Sequence, residues 1–277
     1  MNRESHVSRF FKRFYLALIL IFLYIPIVVL IVQSFNAGKS RAKWEGFSLH
    51  WYAELFQSVS IMNALKVTVS VAVIAMIVST ILGTLAAIGI YSMKKRSQAF
   101  MMTMTNLPNT MPDIVTGISL MLLFIFTRLE RGYFTMLLAH ITFNIPYVIL
   151  SVMPKIRSLD PNLADAAMDL GATPWQALTK VIVPEIMPGV FSGALIAFTM
   201  SFDDFIISYF VTGRGVKNLS IMVYTMSKRV NPTINAISSL IVGVITLVLV
   251  IINLVPFVRE RLAASGKQEG GAVKGQP

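Results

Sequence analysis

The chain has 277 residues and a formal net charge of +11, yet only 13% of its residues are charged, 55% are hydrophobic and its mean hydropathy is +0.71. These values exclude an ordinary soluble domain and place the chain among integral membrane proteins. Cysteine is absent, so disulfides and thiolate metal sites are unavailable, and His6, His50 and His140 lie too far apart to form a metal site. The basic residues are scattered over short loops and tails beside apolar runs, a pattern of placement against membrane lipid and not of nucleic-acid binding.

A transmembrane helix needs about 20 mostly apolar residues. Six stretches qualify, at 14–35, 63–92, 99–126, 133–153, 188–211 and 236–258, predicting an all-α protein with one membrane domain over 14–258. Residues 1–13 carry Arg9, Lys12 and Arg13; the apolar run behind them exceeds a secretion signal's, and Phe35 spoils a cleavage site at Ala37, so the first span is read as uncleaved. Residues 36–62 contain Trp44, Phe47, Trp51, Tyr52 and Phe56, expected at the membrane surface as an aromatic belt. His140 lies in the fourth span and is expected to hydrogen-bond between helices. Residues 259–277, rich in Gly, Gln and Lys towards their end, are expected to form a disordered tail.

With six spans, the clusters at Arg9–Arg13, Lys94–Arg96, Lys155–Arg157 and Arg259–Arg261 share one side. That side holds 14 of the 24 Lys and Arg residues and is expected to be cytoplasmic, with both termini.

Three acids fall inside apolar spans: Asp113, directly after Pro112, and the pair Asp203 and Asp204. Insertion scales put a charge at a helix centre at about 2.5–3.5 kcal/mol, so three facing lipid would cost on the order of 8–10 kcal/mol. They are therefore expected to face an interior. Pro108 and Pro112 interrupt the third span, and the freed backbone groups are tolerated beside a water-filled cavity. Helical spacing puts Ser201, Asp204 and Ser208 on one face and Asp203 beside Thr199, with Phe202, Phe205 and Tyr209 alongside as rings for a cation. The expected substrate path is thus Asp113, Ser201, Asp203, Asp204, Ser208 and Tyr209, with one acid of the pair free to bond a neighbouring helix. The chain has no Gly-x-x-x-x-Gly-Lys-Ser/Thr loop and no Ser/His/Asp arrangement, so it is read as a transport subunit and not an enzyme.

The polar loop at 155–187 carries two helix-start signals. Asp160 precedes Pro161, and Leu163, Ala166, Ala167 and Leu170 then share one face until Gly171 ends the helix. Thr173 to Gln176 forms a capping box with Pro174 at its first position, and Trp175, Leu178 and Ile182 continue an apolar stripe that Pro184 is expected to break. Two short helices are predicted.

These residues resemble the EAA loop of ATP-binding-cassette importer permeases, with Asp165-Ala166-Ala167, then Gly171, Pro184 and Pro188 in the family's spacing. Asp165 stands where the family usually has Glu, and Val183 where it usually has Leu. The resemblance implies a type I importer permease fold in which Asp165, Ala166, Ala167, Asp169, Gly171, Ala172, Pro184 and Pro188 couple to an ATPase. Met-Pro-Asp-Ile-Val at 111–115, Leu138 to Phe143, Ser201-Phe-Asp-Asp, Val230 to Ala236, Ser34-Phe-Asn36, Trp44-Glu-Gly-Phe and Trp51-Tyr52 are similar to the permeases of spermidine/putrescine importers.

That resemblance implies a bacterial inner-membrane heterodimer with a second homologous permease, two copies of a cytoplasmic ATPase that binds ATP and magnesium, and a periplasmic polyamine-binding protein. No cofactor is implied in this chain. A permease for another small solute, such as an opine or a metal complex, has the same architecture. A proton-driven carrier on the same acids is the rival from another class, and the inverted repeats expected of one are not visible.

Overall fold

The computed structural model describes residues 6–40, 43–213, 215–227, 231–244, 246–247 and 250. The helices are α1 (His6–Ser34), α2 (His50–Gln57), α3 (Val59–Tyr91), α4 (Lys95–Thr110), α5 (Asp113–Phe126), α6 (Tyr133–Arg157), α7 (Leu163–Asp169), α8 (Pro174–Ala177), α9 (Val183–Asp203), α10 (Ile206–Val211), α11 (Leu219–Ser227) and α12 (Thr233–Val244). The protein is all-helical, as expected. Among the described residues, four helices are long and apolar enough to cross a membrane, at Lys12–Ser34, Val59–Tyr91, Tyr133–Arg157 and Pro174–Asp203.

The predicted third span is not one rod. Pro112 cannot donate a helical hydrogen bond, and α4 and α5 meet there at 103°, so they count as a fifth span only if the bent pair is taken together. Of the sixth candidate, 236–258, the described part is the shorter helix α12, and 251–258 lie outside the described residues, as do the 259–277 tail and residues 1–5.

Two compact units emerge: Val59–Thr225, and the described residues up to Ser58 together with those from Met226 onward. In the first, α3, α6 and α9 pack pairwise around Ala87, Val148, Val152, Met153, Ile186 and Ala197, all at most 2% exposed. Glycines permit the approach. A Cβ built on Gly83 of α3 would sit 2.7 Å from Val148 Cβ, and one on Gly193 of α9 would sit 3.3 Å from Val148 Cα. Lipid gives helices no hydrophobic reason to associate, so close van der Waals contact across small residues must hold this trio.

The helix α9 is reached without a break from the polar loop. Pro184 was expected to end the preceding stripe, but the chain is helical from Pro174 to Asp203. The reason is a π-helical turn at Leu178–Ile182: Val183 N donates to the Leu178 carbonyl, five residues back, and the widened turn makes room for the proline ring. The second predicted short helix is therefore the foot of a span.

In the other unit, the buried side chain of Asn36 organises the link from α1 to α2. Its Nδ2 donates to the carbonyls of Lys43 (2.8 Å) and Ser40 (3.3 Å) and to Gln33 Oε1 (3.1 Å), while its Oδ1 accepts from Glu45 N (2.8 Å) and Gly38 N (3.2 Å). Trp51 is not in a surface belt: its indole is buried and donates to the Asn36 carbonyl at 2.7 Å. Tyr52 Oη lies 2.7 Å from Ser34 Oγ and donates to Ser239 Oγ at 3.2 Å. Trp44, Phe47 and Phe56 remain exposed. A buried indole or phenol needs a partner for its polar hydrogen, and this link supplies both.

The glycines of α3 give a paired test. Gly83→Ala drives a Cβ into Val148 and is expected to destabilise the detergent-solubilised protein by about 1–3 kcal/mol, the usual cost of overpacking. Gly89→Ala, on the same helix with nothing within 4 Å, is expected to leave thermal unfolding unchanged or raise its midpoint.

Candidate functional site

The helix α9 ends at Asp203 because Asp204 takes an extended ψ of 125°, and α10 restarts at Ile206. Such a break in an apolar environment frees backbone groups that must be satisfied inside the protein. Asp204 satisfies two: Ile207 N donates to its Oδ1 at 3.1 Å and Ser208 N to its Oδ2 at 2.7 Å. The carboxylate is only 10% exposed and needs a counter-group, which α6 provides. His140 Nε2 lies 3.3 Å from Asp204 Oδ2 and 3.0 Å from Ser208 Oγ, within reach of both.

The cluster continues into α11 and α3. Asn218 Nδ2 donates to the Asp204 carbonyl (3.0 Å) and to Ser208 Oγ (2.9 Å), and its Oδ1 caps α11 by accepting from Ile221 N at 2.9 Å. Leu219 N donates to Thr68 Oγ1 of α3 at 2.7 Å. One turn before the break, Asn144 of α6 donates to Ser201 Oγ at 2.7 Å and to the Ala197 carbonyl at 3.2 Å. Buried polar groups in this lattice bridge five helices, which fulfils the interhelical role read for His140.

The predicted stripe of Ser201, Asp204 and Ser208 does not exist as a helix face, because no helix runs through residue 204. Those three side chains instead belong to the buried lattice. Asp203, next in the chain, is turned the other way and exposed; Ser220 Oγ of α11 donates to its carbonyl at 3.2 Å. Tyr209 is half exposed. Asp113 is exposed in the first turn of α5, where a carboxylate is favoured by the helix dipole. Gly117, one turn further, packs against Ile207 and Phe210, so α5 abuts α10 just beyond the break. Sequence reasoning missed Asn144, Asn218 and Thr68; an amide inside an apolar span and an Asn three residues before Ile221 were the available signals.

The polar loop forms a second surface. Helix α7 begins at Leu163, later than expected, because Asp160 Oδ1 accepts from Asn162 N in a local turn before it. Gly171 ends the hairpin's first arm with φ +88°, and Thr173 and Gln176 form the predicted capping box. The face that packs inward differs from the predicted one: Ala164 and Met168 line a cavity of about 250 Å³ with Ile88, Tyr91, Ile156 and Leu178. Leu170 and Trp175, expected on apolar stripes, are 90% and 70% exposed. Asp165, Ala166, Asp169 and Gly171 are exposed beside them, Ala167 and Ala172 are half-buried, and Pro184 and Pro188 lie exposed on α9.

Residues 79–262, which include the loop and the broken helix, match the family model of the binding-protein-dependent transport system inner membrane component. The chain belongs to that family. As a member of it, the protein is a membrane-spanning transport component and not an enzyme. It is 34% identical over 95% of its length to the spermidine/putrescine transport system permease protein PotC of Escherichia coli (strain K12), covering 97% of that protein. It is 39% identical over 82% of its length to the putrescine transport system permease protein PotI of the same organism, covering 84% of it. The fold is that of a chain in the crystal structure of a bacterial ABC transporter involved in the import of the acidic polysaccharide alginate, at a TM-score of 0.66 and 20% identity, over 90% of this chain and 96% of that one.

The two adjacent acids should separate on substitution. Asp204→Asn removes one of two carboxylate acceptors and the charge facing His140, and is expected to cost on the order of 1–3 kcal/mol, read as a lower unfolding midpoint. Asp203→Asn, at an exposed position, is expected to leave that midpoint within the error of the measurement.

Proposed function

We propose that this chain is the polyamine-translocating permease subunit of an ATP-driven importer, exposing a cation route alternately to the two sides of the inner membrane. The observation that carries this reading is the exposed pair of acids, Asp113 and Asp203, set at two broken helices in a chain whose relatives are named for spermidine and putrescine transport. A charge facing lipid is costly, so these acids line an aqueous route or the interface that encloses one. They offer counter-charge to ammonium groups without a closed cage, which lets a cation leave again. Asp204, Ser201 and Ser208 act behind the route by holding the break.

In this reading the chain pairs with a second homologous permease, receives substrate from a periplasmic polyamine-binding protein and is driven by two copies of a cytoplasmic ATPase, which binds ATP and magnesium. Both termini and the loop at 155–187 are cytoplasmic. Helix α7 is the coupling helix, and Leu170 and Trp175 join Asp165, Ala166, Ala167, Asp169, Gly171 and Ala172 on the docking surface, with Pro184 and Pro188 in the span behind it. Large exposed apolar side chains on one loop are what a protein partner would cover.

Reconstitution with the partner subunits in proteoliposomes tests the route. With saturating binding protein and ATP, Asp113→Asn and Asp203→Asn are each expected to lower polyamine uptake about tenfold or more, while all subunits still co-purify. Wild-type uptake by both variants would remove the acids from the route.

Coupling is tested separately at Gly171. Its φ of +88° strains any β-branched replacement, yet a Cβ there meets nothing within 4 Å. Gly171→Val is therefore expected to insert and assemble but to lose most substrate-stimulated ATP hydrolysis.

A further inference from the structure

The break after Asp203 does more than expose an acid. It sets three aromatic rings, one from the linker and one from each of two helices, at one corner. Phe205, in the linker, lies 5.4 Å from Tyr209 of α10 and 4.7 Å from Tyr224 of α11, and Tyr209 and Tyr224 are 6.2 Å apart, all between ring centroids. Tyr209 and Tyr224 are 50% and 38% exposed, so neither ring serves only as core packing.

Two contacts fix the corner beside the acid. Ser220 Oγ donates to the Asp203 carbonyl at 3.2 Å, and Tyr224 stands one helical turn beyond Ser220 on the same face of α11. Asn218 caps α11 and bonds the Asp204 carbonyl, which ties the start of that helix to the break. The exposed carboxylate of Asp203, whose own backbone carbonyl is bonded to α11, cannot face hydrocarbon, so its surroundings are wet or covered by protein. An aromatic face next to a carboxylate in such a place attracts organic cations, because the ring quadrupole and the acid act in the same sense.

We propose that Tyr224, with Tyr209, forms a cation subsite beside Asp203, in which the ring faces hold the ammonium or methylene-ammonium part of a polyamine as it passes the broken helix. This assignment rests on the polyamine reading above. Tyr224 adds to the route a helix that the acids alone do not reach. The Asn218 and Asp204 contacts act as positioning devices for it. A ring face binds alkylammonium groups without a fixed donor pattern, so the subsite accepts amines of differing length and releases them readily.

The experiment uses the full importer in proteoliposomes with its own ATPase, sister permease and binding protein, measuring initial spermidine uptake at limiting loaded binding protein. Tyr224→Leu is expected to slow uptake about three- to tenfold, the range a cation–ring contact supplies, while all subunits still co-purify. Tyr224→Phe keeps the ring face and is expected to stay within about twofold. Mono-, di- and trifluorophenylalanine at 224 preserve shape while draining the ring's electron density, so uptake should fall stepwise with fluorine number, a response that a packing role would not give. Wild-type uptake by Tyr224→Leu, an equal loss in Tyr224→Phe, or a flat fluorine series overturns the subsite. A wild-type importer that moves no polyamine at all overturns the functional reading itself and the subsite with it, which is a separate result from transport that ignores ring chemistry.

Discussion

Everything at the site depends on how one helix break is satisfied away from water. When α9 stops at Asp203, the first N–H groups of α10 lose their helical acceptors, and the Asp204 carboxylate replaces them. A buried carboxylate then requires its own partners, and His140 supplies one from the neighbouring helix. Removing the carboxylate leaves these buried partners without their acceptor, a loss on the order of 1–3 kcal/mol. The orientation of Asp203 follows from this. With residue 204 held inward by four hydrogen-bonding neighbours, residue 203 is left on the outer side.

The same arrangement divides the Val59–Thr225 unit into stiff and adjustable parts. Helices α3, α6 and α9 meet across glycines at Val148 and form a core with little freedom to slide. Around that core lie the proline-bent pair α4 and α5 and the short helices α10 and α11, of which α10 is hydrogen-bonded to α6 and α11 to α3. Helix α9 links the two surfaces of interest. With α8 and the π turn before it, it forms a continuous helical run of 30 residues from Pro174 to Asp203, about 45 Å at the α-helical rise, with the polar loop at one end and the broken acid site at the other. Under the proposed function, a push on the loop by an ATPase reaches Asp203 along a single rod. Its π turn at Leu178–Ile182 is where that rod is least regular.

Much of this was legible in the sequence. The long apolar runs gave α1, α3 and α6 to within a few residues at most of their ends, since length and composition decide a membrane helix almost alone. The Thr173–Gln176 capping box and the left-handed Gly171 were readable because each is a local rule with a local cause. The polar sorting of Asp203 and Asp204 was not. A helical wheel drawn through residue 204 assumed a regular backbone, and nothing in Ser-Phe-Asp-Asp-Phe announces that the helix stops there. Pro184 misled for the opposite reason: proline usually ends a stripe, and a π turn two residues earlier removed the clash. Trp51 was placed at a surface by composition, whereas its buried position depends on Asn36, fifteen residues away. Long-range polar pairs such as Thr68 with Leu219 lie beyond any periodicity argument.

The central claim is that the break turns residue 203 outward and keeps the Ser208 layer buried. The chain has no cysteine, so single thiols can be placed without background. In the assembled complex, Asp203→Cys should react rapidly with a small, charged methanethiosulfonate, whereas Ser208→Cys, which is close in size to the native serine, should react at least about a hundredfold more slowly. Equal rates at the two positions, or faster labelling at 208, would contradict the account.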